Sequence, residues 1–497
     1  MRERVRFLIG QELRELEQVD PTMTVLDWLR LVEGRVGTKE GCNEGDCGAC
    51  TVAIGQLEGD RVRYQAVNAC IRFLGQLDGC QLLTVEDLKS QAGEYHPVQQ
   101  AMVECHASQC GFCTPGFVMS LFALYENDPK ADHSTTSLTP ERIDDALAGN
   151  LCRCTGYAPI VAAAQRMLEL SRGRPDRLAA ERPDTVARLQ ALQDQETVAV
   201  GSGDRQFYAP ATADALAQIL LEHPGARIVA GATDVGLWVT KDLQVIDQVV
   251  DISRVGELRR INDVGDALEI GAGVTYAEAM PVLQALYPDV GEVFRRLGGE
   301  QVRNVGTIGG NIANGSPIGD SPPMLIALGA RLVLRQGQKR RELVLEDFFI
   351  DYGKQDRRPS EFVEKIILPK PRAGHRFRAY KVAKRFDQDI SAVLGAFALE
   401  LDDGTVTSIR IAYGGMAATP KRARAAEAAL QGQPWVEPSI ETAISALERD
   451  FTPINDWRAS AGYRMRVAGN LLRRLFIETT EGSTETRLVG DRRLAHV

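Results

Sequence analysis

No stretch of this 497-residue sequence stays apolar long enough to cross a bilayer, which argues against a membrane-spanning chain. The N-terminus, Met1-Arg2-Glu3-Arg4-Val5-Arg6, opens with charge and lacks the apolar core of a secretory signal, so the expected compartment is the cytoplasm. A basic excess is also missing. There are 58 Lys and Arg against 67 Asp and Glu, a net charge of −9, which speaks against a nucleic-acid partner. There is no internal repeat and no low-complexity tract. What remains is ordinary in bulk, 44% hydrophobic and 25% charged, a composition able to fill the cores of three or four domains.

The cysteines are not ordinary. Eight of the ten fall into two sets of four. In a reducing compartment clustered thiols are read as metal ligands rather than disulfides. The first set is Cys42, Cys47, Cys50 and Cys70, spaced C-x4-C-x2-C with a distant fourth, which is the plant-type 2Fe–2S ferredoxin spacing. Zinc knuckles use C-x2-C pairs twice, so this spacing favours a cluster. Gly41, Gly45 and Gly48 interleave it and let backbone wrap a cluster closely. The second set is Cys110, Cys113, Cys152 and Cys154, reading C-x2-C and C-x-C. It is compatible with a cluster, with zinc, or with a redox dithiol. Both of its pairs stand at the starts of predicted helices, where the positive dipole end favours an anionic group. Two clusters on one chain imply one-electron traffic between two other sites. Cys80 and Cys105 read as small buried hydrophobes, and His96 and His106 as surface or packing residues.

Along the chain, residues 1–82 predict a small β-rich domain and 83–170 a unit of four amphipathic helices over His96–Ala107, Thr114–Glu126, Thr139–Ala148 and Tyr157–Leu170. Residues 171–200 are polar and read as a linker, with Gly201-Ser202-Gly203 continuing it. Residues 201–372 are glycine-rich and mixed α/β. Residues 373–490 alternate strands and helices. Glycine-rich turns present backbone N–H groups to phosphates. Two are candidates, Ala230-Gly231-Ala232-Thr233-Asp234 and Thr307-Ile308-Gly309-Gly310-Asn311. Neither is G-x-G-x-x-G, so a Rossmann fold is not supported. Dinucleotide binding and simple tight turns both remain open.

Four segments together carry a resemblance: Glu40-Gly-Cys-Asn-Glu-Gly-Asp-Cys-Gly-Ala-Cys50, Gln109-Cys-Gly-Phe-Cys-Thr-Pro-Gly116, Gly149-Asn-Leu-Cys-Arg-Cys-Thr-Gly-Tyr157, and Ile308-Gly-Gly-Asn311 with Ser316-Pro-Ile-Gly-Asp320. Over nearly its whole length the chain resembles the small, iron–sulfur and FAD-carrying subunit of bacterial xanthine dehydrogenases, in the molybdenum hydroxylase family. The resemblance implies a multidomain α+β chain: a β-grasp ferredoxin domain, a four-helix 2Fe–2S domain, an α/β FAD-binding domain of the vanillyl-alcohol-oxidase/PCMH type, and an α+β flavoprotein C-terminal domain. It implies a 2Fe–2S cluster on each cysteine set and FAD on Ile228, Val229, Ala230, Gly231, Ala232, Thr233, Asp234 and Val235 in one loop. A second loop would be Thr307, Ile308, Gly309, Gly310 and Asn311, with Leu297, Asp320, Val363 and Lys381 beside it. No segment resembles the molybdopterin-binding portion, so no catalytic residue is expected on this chain. The implied partner is a molybdopterin-binding large subunit, in a heterotetramer of two small and two large chains. Electrons from hypoxanthine or xanthine hydroxylation would pass through the clusters to FAD and on to NAD+. Aldehyde or N-heterocycle oxidoreductases use the same parts and are the alternative. Leu297, where animal enzymes carry Phe, and Lys384-Arg-Phe-Asp-Gln-Asp389 depart from the animal pattern and leave NAD+ or O2 open as acceptor.

Overall fold

The computed structural model describes residues 1–90, 92–127, 138–172, 177–480 and 486. They divide into two compact units. One is Met1–Gly256 with Gly298–Gly306, and the other is Glu257–Leu297 with Thr307–Val497.

The first unit begins with a five-stranded sheet of β1 (Val5–Ile9), β2 (Glu12–Leu16), β3 (Thr51–Glu58), β4 (Arg61–Asn68) and β5 (Gln81–Leu83). The order is β2-β1-β5-β3-β4, with β1 and β5 parallel and the other neighbours antiparallel, as a β-grasp requires. Side chains alternate between faces along a strand, and here both faces are covered. Val5, Phe7 and Ile9 of β1, Val52 and Ile54 of β3, and Leu82 of β5 fill one core. Leu8, Ala53 and Leu83 of the same strands enter another. That second core is built by the helices Pro97–Glu104, Thr114–Glu126, Pro140–Leu147 and Ala158–Ser171. They stand where the 3.6-residue period placed four helices. Thr114–Glu126 is the central one, buried continuously from Gly116 to Tyr125, which is why it is apolar all round.

Two details differ from the sequence reading. The expected linker, 171–200, carries a helix over Arg177–Leu192 whose Leu178, Leu189 and Leu192 belong to the helical core. A few well-spaced leucines hold it down, and the surrounding Arg, Asp and Gln had masked them. Gly201-Ser202-Gly203 is not a tether either. It closes a hairpin between β6 (Val198–Ser202) and β7 (Arg205–Ala209). Ser202 pairs with Arg205, and Gly203 at φ +58° occupies the two-residue turn. With β8 (Arg227–Val229) and β9 (Gln248–Asp251) this hairpin forms a sheet of order β6-β7-β9-β8. Its Val198, Val200, Phe207, Val229 and Val249 extend the core on the β1 side.

The second unit contains an antiparallel sheet of β10 (Ile261–Asp263), β11 (Ala267–Gly271), β12 (Arg331–Gln336) and β13 (Lys339–Val344), and a small hairpin of β14 (Phe349–Asp351) and β15 (Lys354–Gln355). The sheet is completed by β16 (Phe362–Pro369), in the order β10-β11-β16-β12-β13. A second antiparallel sheet runs β17 (Arg376–Val382), β18 (Val393–Asp402), β19 (Thr405–Gly414), β20 (Lys421–Arg422). Here too one central strand serves two cores. Leu394, Ala396 and Ala398 of β18 pack with the first sheet and its helices. Val393, Phe397 and Leu399 pack with the C-terminal helices Glu437–Asp450 and Ala461–Thr480.

Candidate redox centres and flavin loops

The first cysteine loop is shaped by three residues with positive φ: Asn43 at +57°, Gly45 at +78° and Gly48 at +70°. These turns aim backbone N–H groups at sulfur. Glu44, Asp46 and Cys47 donate to Cys42 Sγ at 3.3–3.4 Å, and Cys42 N–H donates to Cys47 Sγ at 3.3 Å. A Cβ on Gly41 would lie 2.8 Å from Cys47 Sγ, so glycine there keeps the wall thin. From β4, Asn68 Nδ2 donates to the Gly45 carbonyl at 2.8 Å and braces the loop.

The thiols meet in pairs, Cys42 with Cys47 and Cys50 with Cys70. The hydrogen bond from Cys47, helped by the three N–H groups, pulls Cys42 down to about 5 against the effect of burial. Cys47 and Cys70 are raised as the donating members of their pairs, and burial adds to both. A sulfur already inclined to the thiolate and cradled by amides is what an iron site needs.

The second set lies at two helix starts. Cys113 precedes Thr114–Glu126, and Cys152 and Cys154 precede Ala158–Ser171. Gly111 at φ +84°, Gly156 at +67° and Tyr157 at +69° turn the chain around the sulfurs. The Cys152 N–H donates to the Tyr157 hydroxyl at 3.0 Å, and Cys152 Sγ is 3.2 Å from the Thr155 hydroxyl. Cys110 pairs with Cys154. The Phe112 N–H and then the Cys154 thiol lower Cys110, and Cys154 is raised in turn. Cys113 pairs with Cys152 and is pushed up to about 12 by burial and by that hydrogen bond. At Cys152 burial works upward, but the Thr155 contacts and Cys113 bring the thiol down.

Among the described residues, no three His, Cys, Asp or Glu side chains are gathered on a single-ion position. The paired thiols of each set suit two irons with two thiolates apiece better than one tetrahedral zinc. The two loops also touch: the Leu151 N–H donates to the Cys47 carbonyl at 3.0 Å. The other two cysteines stand apart from this chemistry. Cys80 is buried, whereas Cys105, expected buried, is half-exposed at the end of Pro97–Glu104. His96 is a packing residue, buried edge-on against Phe122 and Tyr125.

The segment Ile228–Val235 lies in the first unit. It leaves β8, turns through Ala232 at φ +58° and enters the helix Val235–Thr240. Gly231 is packed against chain, since a Cβ there would sit 2.0 Å from the Val305 carbonyl oxygen. Val229 and Ala232 are spent on the core, so the turn can offer a ligand its backbone and the side chains of Thr233 and Asp234. The helix after it is tied to the first cysteine loop. Thr240 Oγ1 donates to the Asn43 carbonyl at 2.8 Å and Lys241 Nζ to the Cys42 carbonyl at 2.5 Å.

In the second unit, Thr307 caps the helix Ile308–Asn314, its hydroxyl accepting from the Gly310 N–H at 2.9 Å. Gly309 is packed tight, a Cβ there lying 2.5 Å from Ala272 Cα, whereas Gly310 is exposed. Asn311 Oδ1 is buried with no hydrogen-bond partner. An open glycine beside an orphaned acceptor is a fit for a polar ligand. Asp320 accepts from Lys381 Nζ and Ser391 Oγ, each at 2.6 Å, in a buried triad. Leu297 packs at the edge of the core and Ile308 and Val363 lie inside it. Asn68, Thr240, Lys241 and Ser391 were not anticipated from sequence. None sits in a motif, and only folding brings them to the loops.

Four family models match, in order. They are a 2Fe-2S iron-sulfur cluster binding domain at 8–74, a 2Fe-2S binding domain at 84–165, an FAD binding domain in molybdopterin dehydrogenase at 202–371, and a CO dehydrogenase flavoprotein C-terminal domain at 378–479. Xanthine dehydrogenase of Emericella nidulans is 32% identical over 90% of this chain and 36% of its own length. A solved chain of carbon monoxide dehydrogenase from Hydrogenophaga pseudoflava is 30% identical over 54% of this chain and 94% of that one, with a TM-score of 0.52. The chain belongs to the molybdenum hydroxylase family. Its matched domains are those of the family's small iron–sulfur and FAD subunit. Aldehyde oxidase 1 of Rattus norvegicus, 29% identical over 90% of this chain and 37% of its own length, is nearly as similar. This molybdenum hydroxylase chain spans about a third of the length of the curated relatives it matches. Among its described residues no helix is long and apolar enough to cross a membrane.

Proposed function

We propose that this chain is the electron-transfer subunit of a xanthine dehydrogenase. A partner large subunit carries molybdopterin and hydroxylates hypoxanthine and xanthine, and NAD+ is the final acceptor. Assembly is as two small and two large chains in the cytoplasm. The observation that carries this reading is the contact of two complete thiol quartets within one unit, the first also bonded through Asn43 and Cys42 to the helix after the Ile228–Val235 turn.

The cysteine pairs would hold two irons per quartet. The N–H groups of Glu44, Asp46 and Cys47 would donate to the anionic sulfurs and steady their charge. Each glycine-rich turn taken by itself, Ala230–Asp234 in the first unit and Thr307–Asn311 in the second, would offer backbone N–H groups to a flavin phosphate, and Asn311 Oδ1 would gain the donor it lacks. The Lys381–Asp320–Ser391 triad would keep a buried charge compensated beside that loop. When bound, the clusters carry single electrons and FAD collects them into the pair that NAD+ takes.

The similarity to an aldehyde oxidase supports a second reading, an aldehyde or N-heterocycle oxidoreductase with the same relay. Co-purification decides between them. A molybdenum-containing large chain in equal amount, with xanthine-dependent NAD+ reduction, is the expected result. Turnover of aldehydes or quinoline-type rings but not of xanthine would shift the assignment to the second reading. No stoichiometric partner would sink both.

A further inference from the structure

Between the two cysteine loops lies a buried polar node whose central residue belongs to neither cysteine motif. Its centre is Gln301, in the short helix Glu300–Arg303 of the first unit. Its Nε2 reaches three acceptors: Asn150 Oδ1 at 2.9 Å, Ser120 Oγ at 3.1 Å and Thr51 Oγ1 at 3.2 Å. Each belongs to a different part of the redox region. Thr51 follows Cys50, Asn150 lies two residues before Cys152, and Ser120 is on the helix that starts after Cys113. Asn150 then donates through Nδ2 to the Gly48 carbonyl at 3.1 Å, and Thr51 Oγ1 donates to the same oxygen at 2.7 Å. Gln301, Asn150, Ser120 and Thr51 are all 1–2% exposed. The fit is tight: a Cβ on Gly149 would come within 1.8 Å of Gln301 Oε1, and one on Gly48 within 2.2 Å of the Gly149 carbonyl.

We propose that Gln301 is a positioning residue for electron exchange between the two quartets. Its amide fixes Gly48–Thr51 against Gly149–Cys152, and so preserves the Leu151 N–H to Cys47 carbonyl hydrogen bond that joins the loops. This rests on the reading that both quartets hold clusters. The exchange moves one electron. The group held by Cys110, Cys113, Cys152 and Cys154 is oxidised by one, and the group held by Cys42, Cys47, Cys50 and Cys70 is reduced by one. No bond is made or broken. Gln301 Oε1 is buried without a hydrogen-bond partner, so the residue is held through its Nε2, and a buried donor is costly to leave unpaired.

The test uses the full chain purified with its partner and compares wild type with Gln301→Leu, which keeps the volume and removes the amide. Iron content tests the cluster reading separately. Electron exchange falls off with the separation of the two groups, so loosening one loop against the other is expected to slow inter-cluster exchange after one-electron photoreduction severalfold, and to change the magnetic coupling between the two reduced clusters in low-temperature EPR. Full iron with a wild-type rate and coupling overturns the proposal. Should Gln301→Leu lose iron, Ser120→Ala decides. It deletes one of the three acceptors, so with iron intact it should move rate and coupling in the same direction by less, and no movement there also overturns it.

Discussion

At the scale of single residues, eight cysteines should be separable from the other two by substitution. Cys47→Ser is expected to damage one of two rhombic EPR signals and spare the other, and Cys113→Ser to do the reverse. The reason is that each sits in its own thiol pairing, Cys47 with Cys42 and Cys113 with Cys152. Cys80→Ser and Cys105→Ser should change neither signal. Losing a cluster with Cys105→Ser would show that the second quartet is wrongly composed. The cysteines were legible because their spacing is local and chemically narrow. Asn68, Lys241 and Gln301 were not. An amide or ammonium gains its role from what stands opposite, and Gln301 is 250 residues from Thr51 and 151 from Asn150.

At the scale of elements, glycine splits into two kinds that sequence alone does not separate. Gly231 has a backbone carbonyl where a Cβ would go, so Gly231→Ala is expected to destabilise by about 1–3 kcal/mol, seen as a lower melting temperature with or without flavin. Gly310 is different. Its added Cβ meets only the Thr307 hydroxyl, at 2.8 Å, and faces outward. Gly310→Val is expected to fold, keep its iron and lose most flavin absorbance. Equal melting losses for the two variants would contradict this division. The helices of 83–170 were legible because the apolar period is strong over whole elements. The helix Arg177–Leu192 was not, because its apolar residues are few and Pro183 lies inside it. Its weight in the fold is measurable. Leu189 is fully buried, so Leu189→Ala should cost about 2–5 kcal/mol, which a chemical melt would register. A loss near zero would mean that the segment is a tether after all.

At the scale of the molecule, two strands carry most of the architecture. β1 and β18 each send alternate side chains into different cores, one pair of cores per unit. A relay benefits from this, since centres mounted on both faces of one sheet cannot drift independently. In the first unit Cys50 and Cys70 belong to one of these cores and Cys152 to the other, and on the proposed reading the order of function follows from which loop touches which. The first quartet is bonded to the helix after Ile228–Val235, whereas the second has two of its cysteines, Cys110 and Cys154, exposed. On the proposed reading, electrons enter at the exposed quartet and leave by the flavin loops. Gly310→Val, assembled with its partner, should therefore still accept electrons from xanthine, seen as bleaching of the iron–sulfur absorbance. It should reduce NAD+ at only a small fraction of the wild-type rate, because the residues that remain hold only one-electron carriers and NAD+ takes a pair. A one-electron dye should restore turnover. Flavin-free protein that reduced NAD+ at the wild-type rate would place the exit elsewhere on the chain.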